Sequence, residues 1–263
     1  MEYVMKVEAY LINLEGSHER LAKATQQLHE KQFCFTRFPA FDGRGKPLSD
    51  FKDYNDAKAI AAMGRSLISS EIGCYKSHLG CVEKFLNTDA DYLVVLEDDI
   101  EIVDPYFKTT MNEMLIWLHD HQEIEWYAIN LGAKKNKLSK TIYRTSNHAL
   151  VKAYYYPIRF IGMVWSRQGA KAFWNYAKDE IYMPVDNLAQ SWLCKNGKGL
   201  SIWPALVKPN GSDSDIDGAV ATHSVRRNDK SGRIMGYGFK KQQRMWRDRF
   251  NALKHKYYFH LIK

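Results

Sequence analysis

The chain has 263 residues, 45% of them hydrophobic, enough to bury a core without disulfide or metal staples. Its net charge of +8 is lopsided: residues 226–263 hold twelve Lys/Arg against two Asp/Glu, and the remainder holds 26 against 28. None of the four cysteines forms a C-x-x-C pair, which argues against zinc-ribbon and thioredoxin-like chemistry, and they read as small buried hydrophobes. No stretch approaches the ~20 apolar residues of a bilayer span. The opening MEYVMKVEAYLINL lacks a basic leader followed by a long apolar run, so a cytoplasmic location is expected.

Strand and helix patterns alternate, which predicts an α/β fold. Residues 7–14 read as a first strand. Residues 19–31 read as a helix with Leu21, Ala24 and Leu28 at helical spacing, and residues 33–38 as a second strand. Ala40-Phe41-Asp42-Gly43 is a turn, and residues 44–66 are polar and carry no clear period. Ser69 or Ser70 is expected to cap a helix running to about Asn87, with Cys74, Ser77/His78, Cys81 and Phe85 on one face. Residues 91–96 form the most strand-like run, and Pro105 is expected to open a helix to about His121. Strands follow at 126–131 and 160–165, short helices at 169–176 and 187–194, and a closing strand at 200–204. The tail from about Gly238 is helical in pattern, basic and studded with aromatics.

The strand at 91–96 ends in Glu97-Asp98-Asp99. A buried parallel strand delivers its C-terminal end to the crevice where α/β folds bind ligands. Three adjacent carboxylates there raise one another's pKa values, and a hard divalent cation, Mn²⁺ or Mg²⁺, removes that penalty. The bland reading is a solvated acidic turn.

Several segments in order resemble glycosyltransferase family 25, the lipooligosaccharide-type galactosyl- and glucosyltransferases. They are Ile12-Asn13-Leu14 with Glu19-Arg20, Phe38-Pro39-Ala40-Phe41-Asp42-Gly43, Glu71-Ile72-Gly73-Cys74 with Ser77-His78, and Leu96-Glu97-Asp98-Asp99. Gly162-Met163-Val164-Trp165-Ser166 with Gly169-Ala170, Pro184-Val185-Asp186, and Ser214-Asp215-Ile216 complete the set. The resemblance implies a GT-A-like nucleotide-sugar fold, with a Rossmann-like central sheet flanked by helices, over residues 1–225. It further implies a UDP-sugar donor, UDP-galactose favoured, and a lipid-linked oligosaccharide acceptor, with Glu97-Asp98-Asp99 in the part of the metal-binding motif. Residues 226–263 form a basic extension.

Asp99 is the first candidate metal ligand, with Asp98 a second ligand or its support, and Glu97 within reach of the ribose or base. Similar folds often take a further ligand from a C-terminal His or Asp, here His223, Asp213 or Asp215. Asp186 is a candidate general base for an inverting transfer, taking the acceptor hydroxyl's proton, or a helix N-cap. Asn13 and Arg20, at the end of the first strand and the start of the next helix, lie where a nucleotide would sit. His78 is a donor or acceptor contact or a satisfied core residue, and Asp42 a donor contact or only a turn former.

Basic and aromatic residues interleave along the tail, which suits an anionic lipid surface, for a protein peripheral to the inner face of the inner membrane. The alternative is an aromatic stripe folded back on the catalytic body. Two other functional classes compete. A nucleic-acid-binding protein would use the basic tail, although no nucleic-acid motif is present and none is expected as a partner. A metal-dependent phosphohydrolase would use the same acidic run.

Overall fold

The computed structural model of the protein describes residues 5–211 and 232–258. The chain opens with β1 (Val7–Asn13), α1 (His18–Glu30) and β2 (Thr36–Pro39), then α2 (Asp56–Met63) and the long α3 (Ser69–Leu86). β3 (Tyr92–Glu97), β4 (Ile100–Ile102), α4 (Phe107–Asp120) and β5 (Ala128–Asn130) follow. A hairpin of β6 (Lys137–Arg144) and β7 (Ala149–Tyr155) leads to β8 (Gly162–Ser166), α5 (Arg167–Ala177) and α6 (Val185–Asn196). β9 (Gly199–Trp203), β10 (Val207–Pro209) and α7 (Tyr237–Tyr258) complete the described chain.

Eight strands form one mixed sheet in the order β2-β1-β3-β8-β5-β9-β7-β6, and β10 pairs with β4 beside it. The Rossmann-like expectation holds only in part. β2, β1 and β3 are mutually parallel, but β8 joins β3 antiparallel and the far half is mixed. Alternate side chains serve opposite faces, as the strand's two-residue period requires. Tyr10, Ile12, Leu93, Val95, Met163 and Trp165 enter the core beneath α2, α3, α5 and α6. Ala9, Leu11, Tyr92, Val94, Leu96 and Val164 enter the core beneath α1 and α4. Burial on both faces is why β3 reads as an unbroken apolar run.

Several element ends differ from expectation. Ile68, not a serine, takes the N-cap place of α3, and the Glu71 carboxylate accepts the Ile68 N–H at 3.1 Å. α4 starts after Pro105, because the Asp104 carboxylate accepts the Tyr106 N–H at 3.0 Å and the Thr110 hydroxyl at 2.6 Å. β2 loses its first residues because Phe33 turns into the α4 core, edge-on to Phe107 at 5.1 Å. The polar stretch 44–66 contains α2, capped by Asn55, which accepts the Lys58 N–H at 2.9 Å, and ended by Gly64 at φ +76. The β6–β7 hairpin and the β4–β10 pair complete the list of unanticipated elements.

α7 lies along α2, α6 and β7. Ala252 is fully buried there, and Ser191 on α6 donates to the buried Asp248 carboxylate at 2.7 Å.

Candidate active site

β1 and β3 run parallel with Ile12 opposite Glu97, so Asn13 and Asp98 leave the sheet side by side. Asn13 Nδ2 donates to Asp98 Oδ2 at 2.6 Å, and Arg37 Nε donates to Asn13 Oδ1 at 2.9 Å. Arg20, in the first turn of α1, lies 3.1 Å from Asp98 Oδ1 and 3.6 Å from Asp99 Oδ2. Asp98 is therefore buried and doubly held. Asp99 is held on one side only: its Oδ1 is buried and has no hydrogen-bond partner among the described residues. Burial, with Glu97 and Asp98 adding repulsion against the pull of Arg20, pushes the Asp99 carboxyl up to about 7. A desolvated carboxylate with a bare oxygen matches a hard divalent cation, which takes oxygen ligands and removes that electrostatic penalty.

α3 forms the opposite wall. Its approach to the 40–43 turn depends on two glycines. A Cβ on Gly43 would sit 2.0 Å from Ser69 O, and one on Gly73 would sit 2.6 Å from Phe41 O. Ser77 fastens the contact, its Oγ accepting the Phe41 N–H at 2.8 Å and donating to Gly73 O at 2.8 Å. Next along the helix, the buried His78 places Nε2 2.9 Å from Glu97 Oε1, its ring 5.2 Å from that of Phe160. Cys74 stands one turn before His78. The ligand atoms of Cys74, His78 and Glu97 lie within 4.8 Å of one another, close enough to share a metal ion. Burial, then the neighbouring carboxylates, push the Cys74 thiol well above its ordinary value. Read along the sequence, Cys74 was only a buried hydrophobe. The signal was its four-residue spacing from His78, which stacks two potential ligands on one helix face.

These walls border an open cleft with a cavity volume of about 80 Å³, lined by Ile12, Leu14, Arg20, Asp42, His78, Glu97, Asp98 and Asp99. Asp42 sits on its rim, paired with Arg44 through contacts of 2.9 and 2.8 Å that hold its carboxyl below the ordinary range. Arg44 gives the rim a cation that the sequence did not single out.

Asp186 is the second residue of α6, with Pro184 at the N-cap, so it does not cap the helix; its Oδ1 accepts the Asn187 N–H at 2.7 Å. Burial, with Glu71 and Glu97 adding to it, raises its carboxyl to about 6 against the opposing effects of Asn187 and His78. It lies near the cleft without lining it. His223, Asp213 and Asp215 fall outside the described residues.

The model of glycosyltransferase family 25, described as an LPS biosynthesis protein family, matches residues 6–189. The chain belongs to this family. The glycosyltransferase family 25 chain is 33% identical over 184 residues to a glycosyltransferase 25 family member of Aedes aegypti, covering 67% of this chain and 29% of the relative. It is 28% identical over 247 residues to one of Anopheles gambiae, covering 84% and 40%. It is 25% identical over 190 residues to procollagen galactosyltransferase 1 of Danio rerio, covering 68% and 30%. The family 25 chain thus spans well under half the length of these relatives. A glycosyltransferase involved in glycosylation of the PBCV-1 major capsid aligns over 94% of this chain and 99% of its own, with 8% identity and a TM-score of 0.43.

Proposed function

We propose that the chain is a metal-dependent, inverting hexosyltransferase of GT-A type. It transfers galactose from UDP-galactose to a lipooligosaccharide or related lipid-linked glycan on the cytoplasmic side of a membrane. The observation that carries the reading is the bare, buried Asp99 oxygen at the shared end of β1 and β3, inside a cleft of a family 25 chain.

Asp99 and Asp98, with His223 as a further ligand, are the residues proposed to hold Mn²⁺ or Mg²⁺. Bound there, the cation would neutralise the donor diphosphate as it leaves. Arg20 adds positive charge at the same corner, and Asn13 and Arg37 keep Asp98 from turning away. Glu97, positioned by His78, faces the nucleoside, and Asp42 with Arg44 lines its rim. Asp186 is the proposed base. It takes the proton of the acceptor hydroxyl as that oxygen bonds the anomeric carbon and the bond to the diphosphate oxygen breaks, which inverts the centre.

The test is incubation with a panel of nucleotide sugars, with and without Mn²⁺, reading nucleotide release. Slow, Mn²⁺-dependent release of UDP from UDP-galactose, accelerated by a lipooligosaccharide acceptor, is expected. Release of phosphate from simple esters instead would point to a hydrolase.

A further inference from the structure

α7 carries two faces with opposite fates. Arg244, Asp248, Ala252 and His255 point toward the body. Arg244 donates to Ala62 O at 3.1 Å, Asp248 takes Ser191 at 2.7 Å, and His255 meets Lys195 O at 2.8 Å. Diametrically opposite, Phe239, Trp246, Phe250 and Tyr257 fall within about 40° of one another around the axis, at 100° per residue. They are 74%, 64%, 70% and 61% exposed. The stripe is about 27 Å long at the helical rise. Met235, fully exposed, precedes the helix.

Charge flanks the stripe on both sides, Lys254 and the part-exposed Arg247 along one margin and Arg249 and Lys256 along the other, while Lys240 turns back to Ala61 O. Asp248 is the one acidic residue of the helix, and it is turned inward at 2% exposure. The outward face therefore combines aromatic rings with Lys and Arg and presents no carboxylate. A second copy on this face would bring basic margins against basic margins with nothing to neutralise them. A bilayer rich in anionic lipid matches it instead: rings settle at the headgroup–acyl boundary while the flanking cations meet lipid phosphates.

We infer that the outer face of α7 docks the protein, in the plane of the interface, onto a membrane of anionic lipid. The inference goes beyond the proposed transfer reaction and does not depend on its chemistry.

Co-sedimentation of the full chain with vesicles tests it. Binding is expected to phosphatidylcholine vesicles containing phosphatidylglycerol, to weaken in high salt, and to be lost in the triple variant Phe239→Ser/Trp246→Ser/Phe250→Ser. All three substituted side chains are exposed, so circular dichroism should match the parent. Arg249→Glu with Lys256→Glu should weaken binding markedly, since each basic residue is worth about fivefold near an anionic surface. Lys134→Glu with Lys135→Glu, exposed elsewhere on the body, should change it little. Brominated lipid should quench part of the tryptophan emission, and Trp246→Phe should remove that part. Equal binding by the triple variant and the parent would overturn the inference. So would absence of binding to anionic vesicles, or a dimer in solution that the triple variant converts to monomer.

Discussion

Asp186 and Asp99 are both carboxylates held above their ordinary range, by different neighbours and toward different ends. Asp186 is buried beside Glu71 and Glu97, which places its carboxyl at about 6. A base must be ionised to accept a proton, so kcat/KM should rise with pH through about 6 and level above it. The stability effect has the opposite sign. A carboxyl raised from 3.8 in the unfolded chain favours the protonated native state. That stabilisation is complete below pH 3.8 and is lost as pH climbs through about 6. Asp186→Asn should therefore lower turnover sharply with little change in donor affinity, yet raise stability at pH 8 by up to about 3 kcal/mol. The gain should vanish in acid. A variant that loses only donor binding would remove Asp186 from the base role. Asp99 differs because its unpartnered oxygen contributes no hydrogen bond to the fold. Asp99→Asn should not lower the parent's melting temperature, and above pH 7 should raise it by the same linkage, while losing calorimetrically detected Mn²⁺ binding and about 10²–10³-fold in transfer, the range for removing one group that stabilises developing charge. Full activity in the variant would refute the assignment.

The element that decides the shape of the cleft is the contact between the 40–43 turn and the first turns of α3. It is a backbone-on-backbone approach, so its tolerance for added volume is close to nil. Gly73→Ala would press a methyl into Phe41 O and Gly43 N, 2.6 and 2.9 Å from the new carbon. Separation of the two elements should cost about 1–3 kcal/mol in urea unfolding. Because the turn carries Asp42 and Arg44, donor KM should rise more than kcat falls. Ser77→Ala should give the same pattern more mildly, since it removes a fastener and adds no clash. Legibility in the sequence followed this division between local and distant causes. β1, α3 and β3 could be read because burial on both sheet faces or on one helix face leaves a continuous local pattern. α2 was missed although Asn55 and Gly64 bracket it, because at eight residues it spans only about two turns, too few to establish a helical period among its small alanines. β6 was missed because it is a solvent-facing edge strand with no consistently buried side, and β4–β10 joins segments about a hundred residues apart. The same limit governs the site. Glu97, Asp98 and Asp99 stand together in the chain, whereas the approach of Cys74 and Asp186 to Glu97 is made by packing. Only the Cys74–His78 spacing left a local trace.

At the scale of the molecule, the question is whether the basic C-terminal extension is an appendage or part of the folded unit. Its charge sets it apart, with twelve Lys/Arg against two Asp/Glu beyond residue 225. Its contacts join it to the body. α7 touches α2 through Lys240 and Arg244, α6 through Asp248 and His255, and it runs beside β7 from the far half of the sheet. It therefore bridges the helical layer over the β1–β3 cleft and the distal strands. The Asp248 carboxylate is buried and held by Ser191 and Arg247, so losing a partner would leave a desolvated charge, which is costly. Native-state hydrogen exchange should find the amides of 248–253 opening with the same free energy as those of β3, in one cooperative unit. Asp248→Ala, which removes the carboxylate partner of both Ser191 and Arg247, should lower that shared free energy by about 1–3 kcal/mol and shift both sets of amides together. Amides of α7 that exchange orders of magnitude faster than β3 in the parent would instead make the helix a detachable arm. Its aromatic face would then reach a membrane without carrying the cleft into a fixed orientation above it.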